Sequence, residues 1–129
     1  MLLNSTSSTL NDSSHIEILL VLSDLNNNLY RDEVLRRAGF RVKLVTTAEA
    51  AQIFDDVLSS FGVVILSDTM RPEDLFIVSA RVRRNSPWTK IVLIEDTDCF
   101  DLDPSLADVI LDRLDGAPGL VNTVRKLTA

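Results

Sequence analysis

Residues that carry metal or redox chemistry are scarce in this chain. Among its 129 residues there is one cysteine and one histidine. One cysteine cannot build a disulfide framework, and one of each cannot complete an ordinary zinc site. Catalysis by Cys or His would have to rest on Cys99 and His15. Cys99 has acidic neighbours, which disfavour a thiolate, and is expected to be inert. His15 lies where a polar leader meets the first apolar run and is expected to be exposed. No apolar run is long enough to span a bilayer; the strongest, 18–22 and 63–66, are far short of the roughly 20 residues needed. A basic surplus is also missing. The net charge is −6 and the pI about 4.6, which argues against direct nucleic-acid binding. Glycine and proline number four each, and apolar and charged residues make up 46% and 25%, so collagen, coiled coil and wholesale disorder are set aside.

What is present is unevenly placed. Residues 95–115 hold eight acidic residues and one basic one, Arg113. The rest of the chain is close to neutral. The stretch reads as a solvated acidic loop, or as a cation site, or as a surface for a basic partner. Residues 1–14 are rich in Ser, Thr and Asn and bury too little to offset ordering, so they are expected to form a disordered tail. The tail has neither the basic start nor the apolar core of a signal peptide, which points to a cytoplasmic protein. One domain is expected over 15–129.

From Ile16 the pattern changes. Residues 16–22 read as a buried strand. Ser23 to Asn28 supplies turn and capping chemistry. Tyr30, Val34, Leu35 and Ala38 share a helix face, and Gly39 suits its C-terminus. Residues 41–45 alternate as an edge strand guarded by Arg41 and Lys43. Thr46 and Glu49 have capping-box spacing. Ala50, Phe54, Val57, Leu58 and Phe61 form a helical stripe behind them, ended by Gly62. Strands are expected at 63–66, 91–94 and 109–111. A helix opens at Pro72, with Glu73 and Asp74 in its first turn and Arg81, Arg83 and Arg84 near its end. A short helix, 118–127, closes the chain. On the third helix Phe76, Ile77 and Ala80 form a second apolar side, to be covered by the acidic loop, by a homodimer or by a partner.

Strand–helix alternation implies an α/β, doubly wound parallel sheet of five strands. Sites in such sheets lie beyond the carboxyl ends of the strands. The expected site is therefore Ser23, Asp24, Asp68, Glu95, Asp96, Asp112 and Arg113. There is no Gly-rich phosphate loop after the first strand, so a dinucleotide or nucleoside triphosphate is not expected. Flavin and cobalamin fit no better, for want of the hydroxyl- and Gly-rich loop or the His each would use.

The segment VVILSDTMRP, residues 63–72, resembles the third strand and phosphoacceptor turn of response-regulator receiver domains. Asp68, Met70 and Pro72 stand at family-like distances. The span to Ala38-Gly39-Phe40, and ADVIL at 107–111 leading into a basic residue, resemble the family as well. The resemblance covers roughly 15–127. It implies a receiver-type sheet of order 2-1-3-4-5, a role in two-component (phosphorelay) signal transduction, and a protein partner such as a sensor kinase or a downstream signalling protein. It implies Asp68 as phosphoacceptor, with no enzymatic activity beyond self-phosphorylation and self-dephosphorylation there. Mg2+ would be held by Asp24, Asp68 and the Met70 backbone carbonyl, and Arg113 would bind phosphate in place of the family's lysine.

The sequence also departs from that pattern. The acidic pair after strand one falls on Leu22 and Ser23, with Asp24 one residue late; Asp24 reads equally as a helix N-cap. Glu95 occupies the switch position, where the family has Ser or Thr, and Thr97 follows two residues on. A carboxylate there repels phosphate unless Arg113 or a cation neutralises it. The connection between strands four and five is short, acidic and broken by Pro104, so the family's fourth helix is expected to be shortened or irregular. The alternative expectation is a pseudo-receiver: a protein–protein interaction module in one conformation, without phosphate or metal, with Glu95 and Arg113 paired in the pocket.

Overall fold

A computed structural model describes residues 17–23, 25–53, 55–97 and 103–129, without the side chains of 25–27. The tail, His15, Asp24, Phe54 and Cys99 lie outside the described residues. The strands are β1 (Glu17–Leu22), β2 (Arg41–Thr46), β3 (Phe61–Ser67), β4 (Lys90–Glu95) and β5 (Val109–Asp112). The helices are α1 (Leu25–Arg37), α2 (Thr47–Gln52), α3 (Asp55–Leu58), α4 (Pro72–Asn85) and α5 (Gly116–Thr128). All pairings are parallel, as the alternation implies, and the order is β2-β1-β3-β4-β5, as the resemblance implies.

The sheet is buried on both faces because its central strands are apolar along their middles, with polar residues only at their ends. Leu19, Val21, Val64, Leu66, Ile91 and Leu93 face a core closed by α2, α3 and α4. Ile18, Leu20, Val63, Ile65, Val92 and Ile94 face a second core closed by α1 and α5. Period-2 alternation splits each strand between the two cores. On edge strand β2, Arg41 and Lys43 are exposed while Val42 and Val45 are buried.

The capping box forms: Thr46 Oγ1 accepts from the Glu49 amide at 3.1 Å, and Glu49 Oε1 accepts from the Thr46 amide at 2.8 Å. The helix behind it does not run through to Gly62. It stops at Gln52, resumes as α3 for a single turn, and Phe61 already belongs to β3. Gly62 sits where the β1–β3 register shifts by one residue, so it serves a bulge and not a helix end. Ala50 and Leu58 are buried as expected, but Val57 is exposed. On α1, Leu35 is buried whereas Tyr30 is 58% exposed; the helix is turned so that Arg31 faces inward. Between β4 and β5 the described residues carry only a 3-10 turn, Pro104–Leu106, capped by the Asp103 side chain.

Candidate functional site at the carboxyl end of the sheet

β3 ends at Ser67, which places Asp68 at the rim where strands β1, β4 and β5 also end. Asp68 is 9% exposed. Its amide donates to the Ile94 carbonyl at 3.1 Å, which fixes it against β4. The carboxylate is clasped by the residues that follow β4. Oδ1 accepts from the amides of Asp96 at 2.8 Å and Thr97 at 3.0 Å, and Oδ2 accepts from the Thr97 hydroxyl at 2.9 Å. Both lone pairs of Oδ1 and one of Oδ2 are thereby used.

Beside it lies a line of hydroxyls. Ser67 Oγ donates to Asp96 Oδ2 at 2.6 Å. A carboxylate only accepts, so the single Ser67 proton is committed there and Ser67 Oγ accepts from Thr69 Oγ1 at 2.9 Å. Thr69 in turn accepts from Ser23 Oγ at 2.6 Å. The order Ser23 to Thr69 to Ser67 to Asp96 has one direction, set by the charge at its end. The other Asp96 oxygen, Oδ1, takes Arg31 Nη2 at 2.5 Å, and the two side chains are 11% and 3% exposed. Arg113 Nη1 donates to the Asp96 backbone carbonyl at 3.2 Å.

The residues expected after the strands do meet. Ser23, Asp68, Asp96 and Arg113 form one cluster, and Asp24 lies outside the described residues. Glu95 ends β4, half-buried and in register with Asp112 of β5. The hydroxyl on Asp68 comes from Thr97, not from the Glu95 position. Among the described residues Arg31 pairs with Asp96 here, and Glu95 and Arg113 form no ion pair with each other. Met70 is buried, its amide donating to the Ser67 carbonyl at 3.0 Å. Arg31 carries no local signal in the sequence, since its partner is 65 residues away. Ser67 is the polar end of a buried strand, which is the one trace it leaves.

An Mg2+ ion needs several oxygen ligands with lone pairs to spare. Asp68 has one lone pair left, Arg31 and Ser67 take one lone pair on each oxygen of Asp96, and the Arg31 guanidinium already stands at the acidic corner where the ion's charge would go. No group of three or more His, Cys, Asp or Glu side chains that could hold a metal occurs among the described residues. The described residues therefore do not fit the ion.

No family model matches the chain, and no curated protein matches it. Solved structures do match its shape. A pilus assembly-related protein from Burkholderia pseudomallei superposes with a TM-score of 0.74 at 17% identity, over 92% of this chain and 93% of that one. The response regulator TrrA from Thermotoga maritima, in complex with Mg2+ and BeF, gives 0.72 at 23% identity, over 87% and 98%. The same regulator in complex with the histidine kinase ThkA gives 0.71 at 24%, over 88% and 99%. The chain has the fold of response-regulator receiver domains. Among the described residues no helix is long and apolar enough to cross a membrane.

Proposed function

We propose that this chain is a cytoplasmic receiver-type module of two-component (phosphorelay) signalling that works as a pseudo-receiver. It acts by contact with a protein partner, a sensor kinase or a downstream signalling protein, in a conformation held without phosphate or metal. The observation that carries this reading is the clasp on Asp68. In the receiver pattern a hydroxyl after strand four closes on the phosphorylated aspartate. Here Thr97 already closes on the unmodified carboxylate, and two amides close with it. The Arg31–Asp96 pair supports the same reading, because a buried guanidinium supplies in place the positive charge that a cation would bring. The module turns over no substrate.

A second reading keeps Asp68 as phosphoacceptor, Arg113 as the phosphate-binding cation, Glu95 as an atypical switch residue, and Mg2+ on Asp24, Asp68 and the Met70 carbonyl. It is favoured by the free lone pair on Asp68 Oδ2 and by the turn from Asp68 to Pro72. Phosphoryl transfer needs positioning and charge neutralisation around that oxygen. Intact mass after incubation with acetyl phosphate and Mg2+ separates the two. The pseudo-receiver reading expects no phosphoryl adduct on the folded wild type, nor on Asp68→Ala. An adduct on the wild type that Asp68→Ala abolishes would overturn it.

A further inference from the structure

Helix α4 is packed on one side only. Leu75, Val78, Ser79 and Val82 are its buried residues. The other side carries Glu73, Ile77, Ala80 and Arg84, at i, i+4, i+7 and i+11, which makes a straight stripe along the helix. Phe76 stands beside the stripe. Phe76 is 64% exposed and Ile77 43%. The described part of the acidic connection, 103–106, reaches α4 and packs Leu106 against the core, but it leaves both side chains open. Adjoining exposed apolar side chains on a helix already packed from behind mark a contact surface.

Next to Phe76 lies a hollow of about 170 Å³. Its α4 wall is Phe76, Ser79, Ala80 and Arg83, and Leu106 closes the far side. Those four residues have the i, i+3, i+4, i+7 spacing of the hole that takes one apolar side chain from a facing helix. Arg83 is held by both oxygens of Asp108, at 3.0 and 3.1 Å, which fixes that corner of the hole. Ala80 is small enough for a second helix to come close. The charges say which helix. Glu73 makes one loose contact, 3.3 Å to the exposed Arg71. Arg84 is exposed and forms no ion pair among the described residues. Laid antiparallel on a copy of itself, the stripe sets Ile77 against Ala80 and Glu73 against Arg84, twice by symmetry. Laid parallel, it sets Glu on Glu and Arg on Arg. A two-fold contact requires a patch complementary to itself, and this stripe is one in the antiparallel sense.

We infer that two copies of this chain pair through α4, antiparallel about a two-fold axis between Ile77 and Ala80, with Phe76 and Ile77 of each copy packed over the hollow of the other. The pairing stands whether or not Asp68 is phosphorylated. A single helix pair lies below the roughly 1,200 Å² of standard interfaces, so the association is weak and reversible.

The test is sedimentation velocity of the whole chain from micromolar to submillimolar concentration. The wild type should pass from monomer to dimer across that range. Ile77→Asp, at an exposed position, should keep the melting temperature and stay monomeric. Two charge variants test the register. Glu73→Arg alone and Arg84→Glu alone each place like charges at both ends of the pair and should self-associate about tenfold or more weakly. Mixed together, with one of them fluorescently labelled, they should form a heterodimer as tight as the wild-type pair, because opposite charges then meet at both ends. Mixing alters neither chain's fold, so a rescue on mixing reports the contact itself. The pairing is overturned if the wild type is monomeric throughout, as it would be were the stripe covered by its own chain or by a different protein. It is overturned as well if Ile77→Asp dimerises as the wild type does, or if the mixture binds no tighter than either charge variant alone.

Discussion

At Arg31 a position that looks like helix surface becomes part of the interior. The stripe through Tyr30, Val34, Leu35 and Ala38 sets one face for α1, and Arg31 lies about 100° away from Tyr30. The helix turns so that Arg31 is 9% exposed and Tyr30 58%. The reason is electrostatic: Asp96 needs a cation, and β4 brings it beside α1. Nothing local in the sequence announces that pairing, because the two residues are joined only through the sheet. Breaking a buried pair on one side costs about 3–5 kcal/mol, since the remaining charge stays buried. Arg31→Met should therefore lower stability by that amount in urea unfolding. Arg31→Met with Asp96→Leu should recover most of it, less about 1 kcal/mol for the acceptor that Ser67 loses. A double variant no more stable than the single one would show that the cost comes from lost packing of the Arg31 stem instead. Asp68 is the opposite case. Its place at the end of β3 was legible from a local motif, while its clasp by Thr97 was not.

At the scale of elements, what is local was readable and what is relayed across the fold was not. The capping box of α2 spans four residues, Thr46 to Glu49, and it forms. The Glu49 carboxyl is held below its ordinary value of 4.5, first by the Thr46 amide and then by the Thr46 hydroxyl. A depressed folded value means a contribution present above 4.5 and lost as the pH falls through the folded value. Thr46→Ala with Glu49→Gln should thus flatten the acid limb of the stability–pH curve slightly, because the group is exposed. Unfolding midpoints at neutral pH and below 4.5 check this; an unchanged limb would remove the box from the acid response. The end of α2 was not readable. Arg81 crosses from α4 to bind the Ala50, Ala51 and Ile53 carbonyls and the Asp55 carboxylate. Those carbonyls lose their helical partners where α2 stops, and a guanidinium replaces them. Arg81→Met should cost about 1.5–3 kcal/mol. Hydrogen exchange should show protection lost first at 47–58; uniform loss across the chain would mean that Arg81 supports the whole core.

For the whole molecule, apolar runs at regular spacing were enough to specify a parallel sheet buried on both faces, while its strand order came only from the resemblance of 63–72 to receiver domains. That order gathers the chemistry. Every strand runs the same way, so Ser23, Asp68, Asp96 and Arg113, which are far apart in sequence, arrive at one rim. The same geometry sends the helix ends, with Arg36, Arg37, Arg83, Arg84, Arg125 and Lys126, to the other end of the sheet. The molecule is acidic at its site and basic at its base, so divalent cations will gather loosely at the rim through charge alone. Specific binding is distinguishable from that by its linkage to folding. An ion at about 100 times its dissociation constant stabilises the native state by about 2.7 kcal/mol, a rise in melting temperature of roughly 10 °C for a domain of this size. With Arg31 on Asp96 and Asp68 clasped, Mg2+ should raise the melting temperature no more than NaCl of equal ionic strength does. Asp68→Asn should respond to Mg2+ as the wild type does. A rise of about 10 °C that is specific to Mg2+ and lost in Asp68→Asn would mean that the clasp opens in solution. Asp24 and Asp68 would then form a working metal site, and the guanidinium of Arg31 would have to leave Asp96 for the ion to enter.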